Sequence, residues 1–179
     1  LFQERTDALV IDQLDNPGGS VFYLYALASM LTEQPLETPR HRIKLTQEDV
    51  FLAQLLLEWT QDIGNDEDAK EYLGDTIGGY PVNLQFIQFL IEYCRTLVAS
   101  WNSGERLTPP VHLWGVDHIN PHATSRYSKP ILVLVNELDF SGGDFFPAIL
   151  QDNQRATIMG QRTAGAGGFI GLARWPNRM

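Results

Sequence analysis

Cysteine is almost missing from this chain. Cys94 stands alone, so no disulfide can close within it, and the redox compartment is left open. Basic charge is also scarce: 13 Lys and Arg face 22 Asp and Glu, a formal net charge of -9, and no basic run offsets the excess. That balance argues against a nucleic-acid partner. Apolar runs are short, and none approaches the roughly 18 uninterrupted residues that a membrane-spanning helix needs. Internal repeats and low-complexity segments are absent. What remains is the composition of a globular protein, 44% hydrophobic and 20% charged. At 179 residues the chain fits one domain, and a domain of that size buries roughly 70% of its unfolded surface.

No initiator Met and no signal-peptide pattern open the chain at Leu1, and it closes on Arg174–Met179 just after a glycine-rich turn. Both ends read as cuts through a larger protein, with residues 1–179 forming a catalytic-core domain whose partners lie outside it.

Strand and helix signals alternate along the chain. Ala8–Asp12 is a short apolar run stopped by Asp15-Asn16-Pro17-Gly18-Gly19, a buried strand followed by a turn. Apolar residues from Val21 to Leu31 follow helical spacing. Thr46 with Asp49 predicts a capped helix to about Asp62, with Phe51, Leu55, Leu56 and Trp59 inward. Residues 65–79 are acidic and glycine-punctuated, which suggests a surface connection, and Asn83–Trp101 is a second apolar helix. The helices between about 46 and 101 read as an insertion or cover. An irregular stretch from Thr108 holds three of the four histidines. Then come a strand at Ile131–Val135, a helix at Phe145–Leu150, a strand at Ala156–Gly160 and the glycine-rich turn 163–168. This order predicts an α/β fold with parallel pairings.

The chemistry concentrates at Val133–Asp144, where a buried strand runs through Asp139-Phe140 into Ser141-Gly142-Gly143-Asp144. A serine at such a strand-to-helix turn has two readings. It can cap the helix, with Asp144 three residues on completing a capping box. Or it can be a nucleophile lifted out of the core beside the free N–H groups of a helix start. Gly142 and Gly143 favour the second, because each costs roughly 1 kcal/mol in a first helical turn and a pure cap has no use for them. Asn16-Pro17-Gly18-Gly19 is likewise either a plain tight turn or a second source of oxyanion donors.

Other candidates fail on spacing. Gly160-Gln161-Arg162-Thr163-Ala164-Gly165 has the outer spacing of a phosphate loop, but Ala166-Gly167 stands where Lys-Ser/Thr is required. Ile170 stands where a dinucleotide fingerprint needs its last glycine. His112, Asp117, His118 and His122 match no standard zinc pattern, and Cys94 reads as inert core. No metal and no organic cofactor is expected.

Together these segments resemble the C-terminal processing (tail-specific) serine proteases. The resemblance rests on Asp12-Gln13-Leu14-Asp15-Asn16-Pro17-Gly18-Gly19, then Ser141-Gly142-Gly143-Asp144, then Gly160-Gln161-Arg162-Thr163-Ala164-Gly165. Val10–Tyr25, Pro147–Leu150, Gly167-Gly168-Phe169 and Pro176-Asn177-Arg178 are similar to the branch of the chlamydial protease-like activity factor. The resemblance implies a spiral core shared with Clp proteases and crotonases, and a serine endopeptidase acting on polypeptides. It implies Ser141 as nucleophile, and Gly18, Gly19 and Gly142 as the oxyanion hole, without choosing between the first two. Tail-specific enzymes use a lysine base at the position of Ala166, which cannot take a proton. The chlamydial branch resembles a Ser–His–Glu system whose histidine lies upstream and whose glutamate lies downstream of this chain. These residues alone are therefore expected to hydrolyse little. By resemblance only, the full protein would be exported and would admit a homodimer. Two alternatives stay open: a non-proteolytic ligand- or peptide-binding module on the same scaffold, and an esterase using His118 or His122 as base.

Overall fold

In a computed structural model, residues 2–167 are described. A short helix α1 (Phe2–Arg5) precedes strand β1 (Leu9–Asp12) and helix α2 (Val21–Ser29). Two-residue strands β2 (Leu36–Glu37) and β3 (Arg40–His41) lead to helices α3 (Gln47–Thr60) and α4 (Asp66–Leu73). The hairpin β4 (Thr76–Ile77) and β5 (Tyr80–Pro81) precedes the long helix α5 (Leu84–Asn102). Strand β6 (Val111–His112), a 3-10 turn at Leu113–Gly115 and strand β7 (His118–Ile119) follow. The chain then forms β8 (Ile131–Val135), α6 (Gly142–Asp152) and β9 (Thr157–Gly160). The expected α/β class holds, with both pairings of the main sheet parallel.

That sheet has the order β1-β8-β9, with Asp12 opposite Leu134 and Val135 opposite Gly160. Its centre is β8, where Ile131, Val133 and Val135 are buried on one face. Leu24, Tyr25 and Ala28 from α2 and Phe145, Phe146, Ile149 and Leu150 from α6 join the same core. The β-branched run of β8 therefore forms a strand, and the two helices that follow β1 and β8 cover it.

Away from the sheet, α3 and α5 pack through a second cluster containing Ala53, Leu90, Tyr93, Cys94 and Leu97. The predicted capping box is present: Thr46 Oγ1 accepts from Asp49 N, and Asp49 Oδ2 accepts from Thr46 N. The predicted inner face of α3 holds at Leu56, which packs against this cluster, and is corrected at its aromatics. Phe51 and Trp59 are exposed, and Val50 and Ala53 are buried instead. Small residues let α3 lie close against the bulky face of α5, so the aromatics turn out to solvent. The predicted surface connection at 65–79 is largely exposed, but it has secondary structure that the sequence reading did not foresee. It contains α4, capped by Asn65 accepting from Asp68 N, and the β4–β5 hairpin turned by Gly78 and Gly79 at positive φ. The resemblance carried by Gly168, Phe169, Pro176, Asn177 and Arg178 lies outside the described residues.

Candidate active site

Because β1 and β8 are parallel neighbours, the turns that leave them emerge side by side at their carboxyl ends. Ser141 stands at the mouth of α6 with φ 56° and ψ -112°. A non-glycine residue held in such a region costs on the order of 1–3 kcal/mol and persists only where its surroundings enforce it. Its hydroxyl does not cap the helix, and it makes no hydrogen bond among the described residues. The capping-box reading of Ser141 and Asp144 is thereby overturned. Asp144 turns away instead, and its two carboxylate oxygens accept from Gly165 N and Ala166 N at 3.0 Å each. Those bonds also explain why the 160–167 turn is no phosphate cradle: a protein carboxylate takes up its amides, and Ala164 N donates to Asp139 O.

The backbone donors of the two turns can be followed one by one. Gly143 N donates to Phe140 O at 2.9 Å, and Asp144 N and Phe145 N donate to Ser141 O. Gly18 N donates to Asn16 Oδ1 at 2.9 Å. The N–H groups of Gly19 and Gly142 have no acceptor among the described residues. Glycine is required here for close approach. A Cβ on Gly18, whose φ is +89°, would lie 2.5 Å from Phe140 O and 2.6 Å from Gly142 N. One on Gly143 would lie 2.6 Å from Asn16 O, and one on Gly142 would lie 3.2 Å from Gly19 N. The glycines in the first turn of α6 are explained by this contact between two backbones. Ser141, Gly142, Gly18 and Gly19 thus form one cluster.

Two clefts open on this cluster and share Gly19, Ser20, Leu24 and Gly142. One, of about 400 Å³, is lined by Ile11, Leu14, Tyr23, Leu27 and Phe146. The other, of about 280 Å³, is lined by Phe22, Leu113, Trp114, Phe145 and Ser141 itself.

Sequence reasoning passed over the group at the centre of the cluster. Asp139 is fully buried, and its carboxylate accepts from Gln13 Nε2, Asn16 N and Asn136 N. Asn136 in turn exchanges hydrogen bonds with Asp15, its Nδ2 donating to Asp15 Oδ1 and its Oδ1 accepting from Asp15 N. The available signal was an aspartate between Leu138 and Phe140 just after a buried strand, where only a bonded carboxylate is tolerated.

His112, His118 and His122 are engaged elsewhere. His112 Nδ1 lies 2.7 Å from Thr38 Oγ1, and its Nε2 accepts from Arg40 Nε. Burial, then Arg40, hold its pKa below the usual histidine value. His118 pairs with Asp117, and His122 Nδ1 accepts from Thr124 N and Ser125 N. No hydrogen bond links any of them to Ser141. Among the described residues no three His, Cys, Asp or Glu side chains converge as metal ligands. Burial pushes the Cys94 thiol up to about 12, in keeping with inert core.

Comparison with known proteins gives consistent matches. An uncharacterized protein of Chlamydia muridarum is 49% identical over 179 residues, covering 99% of this chain and 30% of the relative. The crystal structure of mature CPAF superimposes with a TM-score of 0.91 at 49% identity, covering 99% of this chain and 34% of that one. A structure of mature CPAF complexed with lactacystin matches equally, with a TM-score of 0.91. This chain spans about a third of the length of these relatives. The model of peptidase family S41 matches residues 1–178, and the chain belongs to that family.

Proposed function

We propose that this chain carries the nucleophile and oxyanion hole of a serine endopeptidase acting on polypeptides. The observation that carries the reading is the uncapped Ser141 hydroxyl, on strained backbone, beside two N–H groups with no acceptor among the described residues. Ser141 Oγ attacks the peptide carbonyl, and the developing oxyanion rests on Gly19 N–H and Gly142 N–H. Gly18 has a different part. Its own N–H is taken by Asn16, and its missing side chain lets the first turn reach Phe140 and Gly142. The proton of Ser141 goes to a base outside the described residues, which then returns it to the leaving amine, and water releases the acyl group.

The test uses the complete polypeptide. Wild type hydrolyses an unfolded protein and labels with a fluorophosphonate, while a folded Ser141→Ala variant does neither. Lactacystin, which mature CPAF binds in its solved complex, competes with that labelling. Hydrolysis retained in folded Ser141→Ala overturns the reading. A ligand-binding module without proteolysis is favoured by the apolar lining of both clefts. It predicts no turnover in wild type and unchanged binding in Ser141→Ala.

A further inference from the structure

The oxyanion donors proposed above come from two turns distant in sequence, and something must hold them in register. Packing alone does not. Gly18, Gly19 and Gly142 have no side chains, and the strained backbone at Ser141 has other conformations open to it. The groups that span the gap are polar and buried.

We propose that Asp139 is a positioning residue for the reaction at Ser141, acting through Gln13 and Asn16; this rests on the reading of Ser141 given above. Asp139 lines neither cleft and is fully buried, two residues before the serine. Its Oδ1 accepts from Asn16 N at 2.9 Å, and Asn16 Oδ1 in turn receives Gly18 N. Its Oδ2 accepts from Asn136 N at 2.9 Å and from Gln13 Nε2 at 3.1 Å. One carboxylate therefore gathers donors from both turns, which stand 123 residues apart at Asn16.

Gln13 completes the bracket. Its amide nitrogen also donates to Gly143 O at 2.8 Å. That carbonyl is available because the residue four places on is Pro147, which has no N–H to return to it. Both neighbours of the Gln13 nitrogen are acceptors, so the orientation of the amide is forced. The turn after β1 is thus fastened to the first turn of α6 at a place that the proline leaves open. A neutral amide at position 139 cannot replace the carboxylate, because its nitrogen would face one of the three donors.

Displaced donors weaken the transition state while leaving ground-state contacts in the clefts largely intact. Steady-state hydrolysis of a fluorogenic peptide by the complete polypeptide tests this, with active sites counted by fluorophosphonate. Asp139→Asn is expected to lower kcat by roughly 10- to 100-fold with KM within about 3-fold, since losing a donor outright costs about 10²–10³. Ser141→Ala is run beside it. If Ser141→Ala is dead and Asp139→Asn keeps wild-type kcat, the positioning role is overturned and the nucleophile stands. If folded Ser141→Ala still turns over, the underlying reading itself is overturned. Should Asp139→Asn not fold, Gln13→Met decides, since it removes one donor and leaves Asn16 and Asn136 on the carboxylate. A kcat loss of about 10-fold at constant KM supports the proposal. Unchanged kcat, or a loss carried by KM, overturns it.

Discussion

Two regions of this molecule are held together by opposite means. Between α3 and α5 the contact is apolar, with Ala53 set against Leu90, Cys94 and Leu97, and a plain capping box starts the first helix. At the mouth of α6 the contact is backbone on backbone. It is cross-linked by Asp139, Asn136 and Gln13, and it holds a serine at positive φ. Apolar packing is non-directional and tolerates exchanges of similar volume. A polar bracket around glycines fixes atoms in place but tolerates little change. Stability is spread through the first region, and geometry is concentrated in the second.

The sharpest way to break this contrast is at Ser141. Ser141→Gly in the complete polypeptide should abolish turnover, an effect of about 10⁶ in kcat for the loss of a nucleophile. It should also raise the unfolding midpoint, because glycine relieves the positive φ. A lowered midpoint would show that the serine is not strained. Gly18→Ala comes next: its Cβ must displace Phe140 O or Gly142 N. Turnover per folded molecule should drop by more than about 100-fold, as measured against active sites counted by titration.

The helical region should respond in the other way. Leu97→Ala leaves a cavity and should cost about 2–5 kcal/mol in denaturant unfolding, with kcat per active site unchanged. A fall in kcat there would erase the distinction between the regions. Removing the cap with Thr46→Ala should cost about 1 kcal/mol, read by the same unfolding curve.

The smallest effect is a pH dependence at β3 and β6. His41 and His112 are both held below the ordinary histidine value, His41 by burial and then by His112, His112 by burial and then by Arg40. Their neutral forms suit the fold, so the unfolded chain takes up protons first, near the reference value of about 6.5. Their contribution is full above that pH and is lost as pH falls below it. Thermal midpoints measured from pH 7.5 to 5.5 should fall, and His41→Phe should flatten the slope; equal slopes would remove the histidines from the account.

The three strands of the main sheet and the helices α2, α3, α5 and α6 were legible because their signals are local. The run Ile131–Val135 is a strand, the helix expected over Asn83–Trp101 runs from Leu84 to Asn102, and Thr46 and Asp49 form their box as their spacing implies. The errors have local reasons too. Helical spacing in α3 fits more than one face, and only its packing against α5 selects Val50 and Ala53 over Phe51 and Trp59. The glycine-punctuated stretch at 65–79 hid α4 because half of its residues are acidic and only Ala69 is buried. At the site, the serine and the glycines could be found by motif. For Asp144 the sequence offered only a capping role, because its actual partners lie at Gly165 and Ala166, well outside any capping window.

By itself the sequence determined where the main-sheet strands, the longer helices and the glycine turns at 16–19 and 141–144 fall, and it put Ser141 at a helix mouth, because those outcomes depend on neighbours a few residues apart. Only the tertiary structure decided that the serine leaves the helix uncapped, that Gly19 rather than Gly18 keeps an N–H with no acceptor among the described residues, and that Asp139 gathers both turns. The reason is the parallel pairing of β1 with β8. It brings into hydrogen-bonding distance residues more than a hundred positions apart, and no local pattern encodes which donors are left over once those bonds are made.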